Sequence, residues 1–294
     1  MPVGYCQALL DLVKAFDNVP HWLLIREGIE LGYPLWLLRL SMSVYRMKRV
    51  IRVATAVSRE LLPRCGITAG SGFACAEMKV VMIRMVDEAR QLYRTIVPTL
   101  FVDDLAAEQT GPHTHIQKDL GGFIEHVVEA METNGMKLNR SKSVFTASTD
   151  GLGALMEKRW AGIGLKYYRK VKALGAGMGG GRRRNVDTMT ERLIKFRQRL
   201  PRFRRLRRIG ISTVRLLKTG GKAGMTYAEG ILGVSNSMLR CQRRAVAAVA
   251  APASGCGGQN LDAALLVADG GPRSHVDPAY DAHPLSIGEW ATAV

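Results

Sequence analysis

Apolar and polar positions follow two regimes along this chain, and the change falls near residue 150. In the first, "YCQALLDLV" (5–13) is a short apolar run broken by Asp11, which predicts a buried strand ending in acid. Behind Pro20, "HWLLIREGIELG" has apolar residues at helical spacing and is closed by Gly32; "PLWLLRLSMSVY" (34–45) repeats the pattern with Pro34 in its first turn. The β-branched residues of "KRVIRVATAV" (48–57) predict a strand. After the turn-like "PRCGITAGSG" (63–72), residues 73–93 run without a breaker and predict one long helix. "TIVPTLFV" (95–102) reads as a strand that Pro98 holds to an edge or a bulge. A helix around 114–134 follows, then a turn leading into a strand over 134–148.

The second regime is rich in glycine and arginine. "ALGAGMGGGRRR" (173–184) reads as a flexible basic linker. In "TERLIKFRQRLPRFRRLRRIG" (190–210), Leu193, Phe196, Leu200, Phe203 and Leu206 recur at helical intervals with arginine between them, and Pro201 is expected to kink or split the helix. From about residue 250 to 294 the pattern weakens into an Ala/Gly-rich tail. The expected division is 1–150 as a folded domain, 151–184 as linker, 185–250 as a basic helical region and 251–294 as a weakly structured tail.

Charge sharpens this division. The net charge is +17, yet residues 1–150 hold 17 basic against 16 acidic side chains, which leaves 25 against 9 for the remainder. The first part is balanced like an ordinary domain, and the second resembles a region that meets polyanions. A hydrophobic fraction of 47% supports a sizeable core. No apolar run is long enough to predict a membrane span, and acidic residues come too early for a signal peptide. The five scattered cysteines lack ligand spacing and fit reduced thiols in an intracellular protein, a nuclear location being left open.

The chemistry begins with "TLFVDDLAAEQTG" (99–111), where Asp103 and Asp104 stand side by side after an apolar run. Such a pair either opens a solvated turn or holds a divalent cation. Asp11 also ends a strand. Two antiparallel strands of one sheet would bring these carboxylates together, and crowded carboxylates are tolerable when they bind hard cations. Two such ions about 4 Å apart can clamp the attacking and leaving oxygens of a phosphoryl displacement.

With those residues in view, the sequence resembles the palm of reverse transcriptases, most closely those of non-LTR, LINE-like retroelements. "LLDLVKAFDNVPHWLL" is similar to the first palm motif, "GITAGSGFA" falls where the second does, "LFVDDL" matches the Asp-Asp hairpin, and "NGMKLNRSKSVF" resembles the motif after it. The likeness covers roughly residues 5–148. It implies an α+β right-hand palm, an antiparallel sheet packed on helices, followed by a basic, thumb-like helical region. It further implies two magnesium ions, with manganese as the alternative, held by Asp11 and Asp103 with Asp104 in support. The implied partners are an RNA template, a DNA primer and deoxynucleoside triphosphates.

Carried over residue by residue, the resemblance assigns Phe16 to the sugar's 2′ position, where a core phenylalanine is the other reading. Gly70 is where backbone approaches the nucleotide, and Lys142 with Lys137 either neutralises phosphate or lines a solvated face. The family's Gln stands here as Ala69, its Pro as Gly72 and its Ser as Ala74, so the polar contact of that Gln is missing. The family's fingers region precedes the first motif, whereas only ten residues precede Asp11, so the resemblance implies a truncated front. Residues 182–208 hold 12 basic residues against Asp187 and Glu191. Arg182, Arg183, Arg184, Arg202, Arg204, Arg205, Arg207 and Arg208 are the candidates to meet backbone phosphates; a membrane surface or an acidic partner is the competing reading. "GAGMGGG" runs into Arg-Arg-Arg and does not open a helix after a strand, so a dinucleotide site is not expected.

Overall fold

The computed structural model describes residues 3–68, 70–181, 184–250, 260–269, 276–285, 287–288 and 291. They divide into two compact units, one made of residues 1–171 with 179–182, the other of 172–178 with 183–294.

The first unit is an α+β layer built on strand β1 (Val3–Leu10). Helices α1 (Ala15–Asn18), α2 (His21–Glu30), α3 (Leu35–Tyr45) and α4 (Ala74–Leu92) follow, with the small hairpin of β2 (Arg52–Val53) and β3 (Ala56–Val57) before α4. Then come β4 (Val97–Phe101), β5 (Asp104–Pro112), α5 (Gly121–Thr133), β6 (Val144–Ala147), α6 (Asp150–Arg159) and β7 (Lys166–Tyr167). The five-stranded sheet has the order β4-β5-β1-β6-β7, antiparallel except for the β6–β7 pair. The first strand in sequence is therefore the central one.

Alternation decides the core face. Cys6, Ala8 and Leu10 of β1, Leu105 and Ala107 of β5, and Phe145 and Ala147 of β6 are buried. They share one core with Met78, Met82 and Ala89 of α4 and Phe123, Ile124, Val127 and Met131 of α5. Each of these helices offers an apolar stripe at intervals of three and four. The opposite face carries Val3, Tyr5, Gln7 and Leu9 and leads to Asp11, the residue that follows the strand. Pro98 lies in β4, an edge strand, where its missing N–H leaves no ladder bond unmade.

Three expectations need revision, and one strand was not anticipated. The run 48–57 is not one strand but a tight hairpin, turned at Ala54, whose φ is +53°. Strand β5 was hidden because its buried positions, Leu105, Ala107 and Gln109, are mostly small or polar. The stretch 151–184 is no simple linker: α6 is capped by the Thr149 hydroxyl, Trp160 is fully buried, and β8 (Lys170–Ala173) and β9 (Ala176–Gly179) form a hairpin at Gly175, φ +83°. The tail contributes structure as well, since Leu265 and Val276 are buried in the core of the second unit.

That second unit is helical. Helix α7 (Asp187–Gln198) ends one residue before α8 (Leu200–Arg208), with Pro201 in the first turn of α8, so proline does split the helix. Short turns lead to α9 (Asn236–Ala250) and α10 (Leu261–Asp269). Leu193, Phe196, Leu217, Met225, Val246 and Val249 form its core. No helix among the described residues is long and apolar enough to cross a membrane.

Candidate active site

β1 and β5 run antiparallel with Leu10 opposite Leu105. One step further along each strand come Asp11 and Asp104. Phe101 pairs with Asp104 across β4 and β5, which leaves Val102 and Asp103 as a two-residue turn. Val102 takes φ +61°, a region a β-branched side chain rarely enters, at an expense on the order of 1–3 kcal/mol. The strain lies directly beside the acidic pair.

Asp103 and Asp104 both feel the charge of Asp11. Asp103 is raised from the ordinary aspartate range first by burial and then by the charge of Asp11. Asp104 is raised by burial, then by Asp103 and Asp11, with Lys142 pulling the other way. Among the described residues, no three His, Cys, Asp or Glu side chains stand close enough to form a ready-made metal cage. The donor set nevertheless fits a hard divalent cation, being all oxygen and carrying mutual repulsion that a cation would relieve.

Asp11 is the best held of the three. Its backbone N–H donates to the Ser143 hydroxyl at 3.0 Å, and its carbonyl accepts from Asn139 N at 2.8 Å. The Asn139 side-chain amide donates to Asp11 Oδ2 at 2.9 Å, and Lys142 Nζ stands 3.9 Å from the same oxygen. Val13 N donates to Lys137 O at 2.9 Å, which closes the loop onto the strand end. Asn139 and Ser143 were not singled out from sequence, although both lie in the "KLNRSKS" run; their polarity gave no sign of which strand end they would reach. Lys137 is exposed and meets Val13 through its carbonyl alone in that contact.

The glycine-rich segment lies against the turn after Asp11. Ile67 N donates to Phe16 O at 2.7 Å and Gly66 N to Val19 O at 2.8 Å. Phe16 is half-buried and packs on the core. Gly66 has φ +100°, and a Cβ there would meet Asp17 O at 3.1 Å, so only glycine fits. Gly70, at φ +87°, is exposed with open space where a Cβ would point. Ala69 lies outside the described residues.

In the basic region, Arg202, Arg204, Arg205 and Arg208 are exposed along α8, no residue of which is buried. Arg207 is half-buried and donates to Val249 O at 3.3 Å, and Arg184 donates to Leu232 O at 3.1 Å, so both also serve the fold. Arg192 stacks on Tyr227 at 4.9 Å and donates to Gly175 O at 2.6 Å. Arg182 and Arg183 lie outside the described residues.

The family model described as reverse transcriptase (RNA-dependent DNA polymerase) matches residues 5–178. No curated protein sequence matches the chain. Among solved structures, the chain is similar to telomerase from Candida albicans in complex with a fragment of telomeric RNA, with 11% identity and a TM-score of 0.47. That match covers 85% of this chain and 49% of the other, so the chain spans about half the length of that structure.

Proposed function

The chain belongs to the reverse transcriptase family through residues 5–178, and from that premise we propose that it carries the palm of an RNA-directed DNA polymerase from a non-LTR, LINE-like retroelement. One observation supports this most: Asp11 follows β1 and Asp104 opens the neighbouring antiparallel β5, each one residue beyond the Leu10–Leu105 pair, with Asp103 in the turn between β4 and β5.

In this reading Asp11 and Asp103 hold the metal and Asp104 supports them. Bound magnesium, or manganese, supplies positive charge to the attacking and leaving oxygens. The protein's part is placement. Asn139 and Ser143 fix the Asp11 strand end, Phe16 excludes a ribose 2′-hydroxyl, and the backbone at Gly70 gives the nucleotide close approach. Lys142, beside Asp11, offers charge to phosphate. The primer 3′-hydroxyl displaces pyrophosphate from the α-phosphorus of a deoxynucleoside triphosphate, directed by the RNA template. The exposed arginines of α8 meet the backbone of the template–primer duplex through charge and shape.

The test is primer extension on an RNA template with magnesium, with Asp103→Asn as control. Template-dependent extension lost in the control supports the reading. Binding of primer–template without any Asp103-dependent extension would favour the alternative that Ala69 raises, a retroelement fragment that holds nucleic acid without catalysis.

A further inference from the structure

Helix α3 has two faces of different character. Leu37, Leu38, Ser41, Met42 and Tyr45 are buried, and Leu38, Met42 and Tyr45 belong to the core of the first unit. On the other side Trp36 is 68% exposed, Leu40 51%, Val44 43% and Met47, just past the helix end, 61%. Spacings of four, four and three residues put these side chains in one line along the helix, about three turns long. Arg39, Ser43 and Arg46 are exposed as well and recur at intervals of four and three. An apolar stripe therefore runs along a basic one, and the reaction as described uses neither.

The chain then leaves α3 for the ribbon of β2 and β3, and every residue of 46–62 is exposed. The ribbon is a genuine ladder: Arg49 N donates to Leu61 O at 2.9 Å, Leu61 N to Arg49 O at 2.8 Å, and Ser58 N to Ile51 O at 2.9 Å. A two-stranded ribbon without a core on either face is marginal in water and gains from anything laid against it. Charge over 35–62 is one-sided. Arg39, Arg46, Lys48, Arg49, Arg52 and Arg59 stand against Glu60 alone, which Lys48 already pairs at 2.6 Å. Exposed apolar surface rimmed by a single sign of charge is the make-up of a docking face.

That sign narrows the occupant. Residues 151–294 carry 25 basic against 9 acidic side chains, so the rest of the chain is not the complement. A second copy would bring the same cations and no free carboxylate of its own to meet them. Single-stranded nucleic acid stacks its bases on aromatic platforms, whereas Trp36 is the one aromatic in a stripe that is otherwise aliphatic. A polypeptide with aliphatic anchors and carboxylates fits both stripes. We propose that the exposed face of α3 docks an acidic amphipathic helix of a protein partner. Its apolar residues lie along Trp36, Leu40, Val44 and Met47, and its carboxylates meet Arg39 and Arg46. The ribbon's cations add long-range attraction. This surface is independent of the polymerase reading and is tested without it.

The probe is a phage-displayed library of amphipathic helices with a fixed leucine stripe and flanking positions drawn from Glu, Gln and Lys, selected on the full chain. Selected peptides should carry Glu beside the stripe. Their affinity should fall roughly thirtyfold or more on Trp36→Ser/Leu40→Ser, the scale of a lost aromatic anchor. Both positions are exposed, so the melting temperature should hold. Arg39→Glu/Arg46→Glu leaves the stripe intact; it should weaken the same peptides about tenfold or more and admit their Lys-flanked counterparts. No enrichment over the Trp36→Ser/Leu40→Ser chain, selection without a preference for Glu, or binding that survives either double variant overturns the proposal. The same variants are compared in sedimentation, on phosphatidylserine vesicles and with single-stranded RNA. Stripe-dependent self-association, vesicle binding or RNA binding in place of acidic-peptide binding gives the face to that occupant and overturns the proposal as well.

Discussion

The Asn139 side chain donates to the Asp11 carboxylate at 2.9 Å while its main-chain N–H donates to the Asp11 carbonyl at 2.8 Å, so one residue grips both ends of the candidate metal ligand. Asn139→Ala removes only the first grip. Extension should fall by about ten- to a hundredfold, since misplacing a reacting group by about 1 Å is that expensive. Stability should drop by only about 1 kcal/mol, the worth of one hydrogen bond. Steady-state kinetics beside a denaturant melt separate the two effects.

The acidic trio stores repulsion. Asp103 and Asp104 sit above the ordinary aspartate value because burial and neighbouring charge disfavour ionisation. The folded chain thus binds more protons than the unfolded one just above the ordinary value, and stability falls as pH rises through that window. At neutral pH, Asp103→Asn should leave stability equal or slightly higher, by about 0.5 kcal/mol at most, while ending catalysis. Magnesium should raise the wild-type melting temperature by mass action and do so far less in the variant.

Helix α8 exposes four arginines in nine residues. Changing Arg202, Arg204, Arg205 and Arg208 to glutamine should flatten the plot of log affinity for an RNA–DNA hybrid against log salt by roughly 3, at about 0.7–0.9 per lost phosphate contact. A slope that stays put would assign the helix to another partner. Arg207→Gln should instead lower stability, because its guanidinium is tied to Val249 O.

Glu229 is fully buried in the second unit beside Gln242, and burial pushes its carboxyl up to about 7. Its folded value exceeds the ordinary 4.5, so stability should decline as pH rises between the two and level off above about 7. Glu229→Gln should flatten the melting profile between pH 5 and 8. Asp281→Ala in the same unit should be far more damaging, by about 3–5 kcal/mol, because it strands Lys222, whose Nζ lies 2.7 Å from Asp281 Oδ1.

Phe16→Ala tests sugar selection. The side chain is only partly buried, so part of its surface is free to meet substrate. Incorporation of ribonucleotides relative to deoxyribonucleotides should rise in single-turnover assays, at a stability loss of about 3 kcal/mol or less. An unchanged ratio would return Phe16 to the core.

How much of this was legible followed from range. Asp11 closing an apolar run, the unbroken α4, Pro98 on an edge and Pro201 splitting the basic helix are local signals, and each matches the structure. β5 was missed because alanines and Gln109 conceal its alternation. The hold of Asn139 on Asp11 joins residues 128 apart in sequence, and Lys222 meets Asp281 across 59; no periodicity announces such pairs. The arginine run shows the opposite limit. Composition marked all 12 basic residues alike, yet Arg184, Arg192 and Arg207 are engaged in the fold, and only contacts could sort them.

The central place of β1 carries a consequence for synthesis. Val3 pairs with Pro112 and Cys6 with Ala147, so the strand that leads to Asp11 is synthesised well before either of its sheet neighbours. At ribosomal speeds of about 5–20 residues per second, the wait for β5 is on the order of 5–20 s. Throughout it, "VGYCQALL" is an unpaired, uncharged, β-prone segment with both edges open. Yield from the ribosome should therefore depend on whatever shields that strand, and a chaperone that releases β1 only after residue 147 has emerged would do more for folding than any stabilising change in the finished sheet.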